Sequence, residues 1–298
     1  VECAKQTQRQ FTGTREAARA EPIEEIRVSE LRTLALQALG VGEPEARCLA
    51  VDDLSEALPL EPERSVAPDR PVPGRPARPR LVPIHQVPAR NPRTAGGHAA
   101  LLHSIAHIEF NAIGLALDAI WRFAGLPPDY YRDWLRVAQE ETRHFRLLSA
   151  HLATLGHAYG DFDAHDGLWD MAARTAGDVL DRMALVPRRL EARGLDVSPG
   201  IRSKLIAAGD PAAAAILDII LRDEIGHVAI GNRWFNWLCS SRGLDPVAAD
   251  ARIALRHRVP RPRGPFNLAA RRAAGFSAVE IDLLDRPQAS ARAIPSPD

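Results

Sequence analysis

The chain has 298 residues, 46% hydrophobic and 26% charged, long enough to bury a substantial core as one large domain with small additions. Its formal net charge is zero, which excludes a globally basic nucleic-acid coat and leaves only local patches to consider. Cys3, Cys48 and Cys239 form no CxxC pair, which excludes a Cys-rich zinc or rubredoxin-type iron site and fits a reducing cytoplasm.

Residues 1–57 read as a polar, disordered start followed by two small helices separated by "GVGEP". The opening "VECAKQTQRQ" lacks the apolar core of a signal peptide. Residues 58–94 form a Pro-rich extended arm, since so many prolines forbid helix and central strand alike. A plain linker is the preferred reading of this arm, ahead of a binding role.

From residue 95 the apolar residues take helical spacing. A first long helix ends at Gly125 and a second runs from Asp129 to Gly156. A third, from about Leu168 to Arg193, should kink at Pro187. A short helix follows with Ser198 as its N-cap. The fourth has Asp210 at its N-cap, Pro211 in its first turn and Gly243 after its end. No stretch alternates as a strand, and the longest apolar run, 212–221, is too short to span a bilayer, so no membrane partner is expected. The fold expected is all-α: a four-helix bundle over 95–243 with the Pro-rich N-terminal arm and a short C-terminal extension, 244–298. The five tryptophans, Trp121, Trp134, Trp169, Trp234 and Trp237, are assigned to the core.

Two segments carry the chemistry. "EETRHF" holds Glu141 and His144, and "RDEIGHV" holds Glu224 and His227. Residues three apart share a helix face, so each pair aims a carboxylate and an imidazole at one point. A di-iron carboxylate site needs one more Glu from each of the other two helices. The first helix offers Glu109 on an apolar stripe, where a carboxylate is costly unless paired or metal-bound. The third offers Glu191. Glu141 follows Glu109 by 32 residues (141 − 109) and Glu224 follows Glu191 by 33 (224 − 191), so the chain reads as two similar halves. Glu109 and Glu141 lie ~24 and ~18 Å from their shared turn, at nearly the same level of an antiparallel hairpin. Four carboxylates and two imidazoles suit two iron ions, with manganese as the alternative. For any single pair, a solvated salt-bridging surface is the competing reading; six positions in this order favour metal.

The segments "LLHSIAHIEFNAIGLALD", "EETRHFRLL", "ALVPRRLEARGLDVSPG", "LRDEIGHVAIGNRWF" and "RGPFNLAARRAAGFS" resemble an uncharacterised bacterial family of ferritin-like di-iron proteins, over roughly residues 70–280. More remotely, "EETRHF" and "LEAR" are similar to segments of the bacterial tRNA hydroxylase that modifies 2-methylthio-isopentenyladenosine, an oxygen-using di-iron monooxygenase. The resemblance implies a ferritin-like bundle and carries Glu109, Glu141, His144, Glu191, Glu224 and His227 over as ligands. It fixes no substrate.

Around this set, His107 is read as an outer-layer residue or a satisfied core histidine. Asp223 is read as an acceptor orienting His144 or His227, with surface salt bridging as the equal alternative. Glu140, about 100° around the helix from Glu141, is read as solvated. In the Arg-rich extension, Arg256, Arg258, Arg261 and Arg263 are candidate phosphate contacts, weighed against a structural arm. The functional expectation is an O₂-activating di-iron oxidase or hydroxylase. Its substrate would be an unidentified small molecule or tRNA, with an external electron donor, an oligomer not excluded and a cytoplasmic setting. The rivals are iron or manganese handling, including peroxide detoxification, and a structural bundle with a vestigial site.

Overall fold

The computed structural model describes residues 30–88 and 90–285. The expected polar start, residues 1–20, and Cys3 lie outside the described residues. Ahead of the bundle come α1 (Leu31–Leu39) and α2 (Pro44–Asp52). The bundle contains α3 (Ala95–Arg122), α4 (Pro128–Thr154), α5 (Gly167–Arg174), α6 (Val179–Leu185), α7 (Ala192–Ala207) and α8 (Pro211–Ser241). The extension adds α9 (Pro246–Arg256), α10 (Leu268–Ala273) and α11 (Ala278–Asp285). The β pairing among the described residues is one isolated parallel bridge, Leu81 with Ala164. The protein is therefore all-α, with α3, α4, the α6–α7 unit and α8 as the four long walls of a bundle.

The α3–α4 hairpin is set by local chemistry. Gly125 takes φ +75°, a left-handed conformation that glycine adopts at no steric cost. Pro128 starts α4, where its missing N–H loses nothing. Tyr131 locks the turn: its hydroxyl accepts from Leu126 N at 3.2 Å and donates to Phe123 O at 2.9 Å. By length and composition α3 could cross a membrane, but 72% of its apolar window is buried inside this bundle. It serves as the core helix.

The third wall differs from the single kinked helix expected. The chain breaks between α5 and α6, where Asp178 is extended and its side chain accepts from Leu180 N at 2.8 Å, capping α6. Pro187 does not kink an α-helix; it sits in a π-helical turn, Val186–Glu191, that continues into α7. Ser198 is not a cap. It lies within α7 and its hydroxyl donates back to Gly194 O at 2.7 Å. The helix also runs through Pro199, whose missing N–H leaves Leu195 O without its helical donor. The Asn267 side-chain amide donates to that carbonyl at 3.3 Å.

The Pro-rich arm is a packed strap rather than a free linker. Prolines keep their carbonyls, and the buried Arg32 guanidinium donates to Glu61 O and Pro62 O, both at 3.1 Å. Val82 N donates to Ala164 O at 2.8 Å, and Arg75 and Arg80 pair with Asp166 and Asp163. Trp121, Trp134 and Trp234 are buried as expected, whereas Trp169 is half-buried and Trp237 is exposed. Cys48 and Cys239 are free and buried.

Candidate metal centre

α3 brings Glu109 inward among Ile105, Ala112 and Ile113, and α4 brings Glu141 and His144. α8 supplies Glu224 and His227. All five are buried. His144 Nδ1 lies 3.2 Å from Glu109 Oε2 and 3.3 Å from Glu141 Oε2. His227 Nδ1 lies 3.0 Å from Glu141 Oε1 and 3.8 Å from Glu224 Oε2. Glu141 therefore turns one oxygen to each histidine. Two clusters result, Glu109–Glu141–His144 and Glu141–Glu224–His227, each with ligand atoms within 4.8 Å of one another and with Glu141 common to both. Each of them could hold a metal ion.

Glu191 is the last residue of the π-turn. Its residue as a whole is half-buried, but its Oε2 is closed off from solvent and has no hydrogen-bond partner. The Glu141 charge acts on it directly. The turn that places it is pinned on three sides. Pro187 packs on Gly231 of α8 so closely that a Cβ there would fall 2.4 Å from Pro187 Cβ. Arg188 donates to Asn232 Oδ1 at 2.6 Å and lies 4.0 Å from the Phe235 ring centroid. Arg189 pairs with Asp250 at 2.6 Å. A π-turn adds a residue to the helical turn and so rotates the downstream part of the helix.

The outward nitrogens of both imidazoles are also held. His144 Nε2 lies 3.1 Å from Asp223 Oδ2, and His227 Nε2 lies 2.7 Å from Glu140 Oε2. Glu140 is thus an acceptor for the opposite helix, not the free solvated residue the helical wheel predicts. Each acid immediately precedes the Glu of its own Glu-x-x-His segment and braces the histidine of the other. With Nε2–H donated outward, Nδ1 is the nitrogen of each ring that faces inward, and it offers a lone pair there once its proton has left.

Charge balance explains the proton positions when no metal is bound. Burial, followed by the Glu141 charge, pushes Glu109 up to about 8 and Glu191 up to about 7. Burial likewise raises Glu224 well above the carboxylate range. Burial opposes charging of His144, yet Glu109 and Glu141 outweigh it and push it up to about 11. His227 is raised in the same way by Glu140 and Glu141. Glu141 is buried too, but its two histidines hold it below the usual carboxylate range. Glu191 Oε2 and Glu224 Oε2 are buried without a hydrogen-bond partner, which is costly unless something else satisfies them, whereas Glu141 Oε1 and His227 Nδ1 face each other at 3.0 Å as an ion pair without hydrogen-bond geometry.

A family model described as "Protein of unknown function (DUF455)" matches residues 41–282. This chain belongs to the DUF455 family. An "Uncharacterized protein" of Haemophilus influenzae (strain ATCC 51907 / DSM 11121 / KW20 / Rd) is 47% identical to it over 259 residues, covering 82% of this chain and 90% of that protein. No solved structure matches.

In this DUF455 chain His107 stands apart from the centre. Tyr159 Oη lies 2.9 Å from its Nδ1 and His165 O lies 3.0 Å from its Nε2. Burial pushes it down to about 4, so it is a neutral, satisfied core histidine. His103 accepts from Gly160 N at 2.9 Å and is likewise pushed down to about 4 by burial. Both therefore fasten the loop after α4. In the extension, Arg256 and His257 are tied to Asp181 at 3.2 and 2.6 Å. Arg258 has φ +52°, the carbonyl of Arg263 accepts from Arg193 at 2.9 Å, and Arg261 edges a separate cavity.

Proposed function

We propose that the DUF455 bundle holds a di-metal carboxylate centre, iron or manganese, and uses it to oxidise or hydroxylate an organic substrate. The observation that carries this reading is Glu141, whose two oxygens face two histidines from two helices. Glu109, Glu141 and His144 would hold one ion, and Glu141, Glu224 and His227 the other. Glu191 would complete the set at four carboxylates. Their four negative charges balance two divalent cations, which supports two ions rather than one. Oxygen and nitrogen donors without thiolate support iron or manganese. When bound, a reduced metal pair supplies open coordination positions and electrons for activating O₂.

The chain's own residues do the rest. Glu140 and Asp223 fix the two imidazoles, and the buried bundle interior excludes water from the carboxylates. Cys48 and Cys239 are isolated thiols, so electrons would come from a separate donor. The substrate stays a small molecule or tRNA, and the setting cytoplasmic, as the sequence suggests. The test is stopped-flow mixing of the anaerobic ferrous protein with O₂. Rapid O₂ consumption and near-ultraviolet ferric absorption are expected. Indifference to O₂ would leave a storage or structural role.

A further inference from the structure

A cavity of about 470 Å³ opens between α9, α11 and the π-turn, within the ~300–1,000 Å³ range of small-molecule sites. It shares no residue with the Glu/His cluster. Its walls are largely apolar, with Ala254, Val259, Phe276 and Leu283 among them, and Leu255, also lining it, is 81% exposed. Four guanidinium groups converge on it: Arg188, Arg189, Arg261 and Arg271. Three have acidic partners. Arg188 binds Asp250 and Glu280, Arg189 binds Asp250, and Arg271 binds Asp196. Arg261 has no hydrogen bond or ion pair among the described residues. Four cations against Asp196, Asp250 and Glu280 leave one positive charge, at an exposed side chain on the edge of an apolar space.

We infer that this cavity binds an organic monoanion with an apolar body, a medium-chain alkyl carboxylate in its simplest form. Its hydrocarbon part would cover the apolar walls and its carboxylate would pair with the Arg261 fork, which suits bidentate recognition. The apolar body supplies most of the affinity by burial, and the guanidinium supplies selection for the charged head.

The probe is octanoate, titrated calorimetrically into the full-length protein, with 1-octanol as its uncharged counterpart. Octanoate is expected to bind once per chain with Kd below about 1 mM, and octanol at least about tenfold more weakly. Arg261→Gln should weaken octanoate to the level of octanol, while Arg252→Gln, an exposed α9 residue outside the cavity, should leave it unchanged. Ala251→Trp, at an exposed lining position where the helix tolerates a larger side chain, should abolish binding of both ligands. Equal affinity for octanoate and octanol, or unchanged binding by Ala251→Trp, would overturn the inference. Absence of octanoate binding to the wild type would overturn it as well. Metal content should be the same in all these variants, so the outcome is independent of the metal centre.

Discussion

Glu140 on α4 accepts from His227 Nε2 on α8 at 2.7 Å, and Asp223 on α8 returns the same service to His144 on α4 at 3.1 Å. The exchange is reciprocal: the acid before each Glu-x-x-His segment orients the imidazole of the other. Each bond fixes a ring and a tautomer that a buried histidine otherwise leaves open.

Removing these braces should weaken metal binding without removing a ligand. Glu140→Ala and Asp223→Ala are each expected to lower metal affinity about 10–100-fold. Glu140→Gln should recover much of the loss, because its amide oxygen still accepts from Nε2–H. Competition with a chelator gives the affinities. Wild-type affinity in Glu140→Ala would show that the hydrogen bond is incidental.

Metal loading should release protons and tighten as pH rises. In the metal-free protein His144 sits at about 11, Glu109 at about 8 and Glu191 at about 7, so protons must leave before these groups ligate. The sign is the same for each, since a raised folded pKa means that metal competes with a proton through the neutral range. The raised carboxyls also make the stability of the metal-free fold depend on pH. Their contribution is complete below the unfolded carboxylate value of 4.5 and is lost as pH climbs through about 7 and 8. Calorimetry in buffers of different ionisation enthalpy reads the released protons, and a pH-independent affinity with no release would contradict the assignment.

Gly231→Ala tests the π-turn. The new Cβ would meet Pro187 Cβ at 2.4 Å, and neither a helix backbone nor a proline ring yields easily. A loss of about 1–3 kcal/mol is expected in denaturant unfolding. Because the turn ends at Glu191, metal affinity should fall too, whereas Gly226→Ala, whose Cβ would meet nothing within 4 Å, should spare both.

Asp210→Ala should destabilise the far end of the bundle. Its Oδ1 accepts from Ala213 N at 2.8 Å as the α8 N-cap, and its Oδ2 lies 2.7 Å from Nε2 of both His98 and His151. Loss of the cap alone costs about 1 kcal/mol, and the two imidazoles lose their acceptor in addition. Thermal unfolding of the metal-free protein measures this, and an unchanged melting temperature would show the cluster to be redundant.

The four walls were legible because helical periodicity, Gly125, Pro211 and Asp210 act locally. The inward pointing of Glu109 was legible because a carboxylate on an apolar stripe is conspicuous, and that of Glu141 and Glu224 because each stands three residues before a histidine on one helix face. The π-turn was not, since Pro187 signals only that a regular helix cannot continue. The α5–α6 break was missed because Asp178 caps a helix start inside an apparently periodic stretch. Pro199 stays helical through Asn267, some 70 residues away, which local reasoning does not reach. Glu140 was misread because a wheel shows which face a residue takes and not what the neighbouring helix puts there. Its signal was in plain sight as the acid preceding both Glu-x-x-His segments.

The most direct test of the central claim is metal content per folded chain after anaerobic loading and desalting, compared with Glu141→Ala/Glu224→Ala. Roughly two iron or manganese ions per chain are predicted for the wild type, from the two clusters that share Glu141, and essentially none for the double variant. A double variant that holds as much metal as the wild type, or a wild type that holds none, would contradict the di-metal centre.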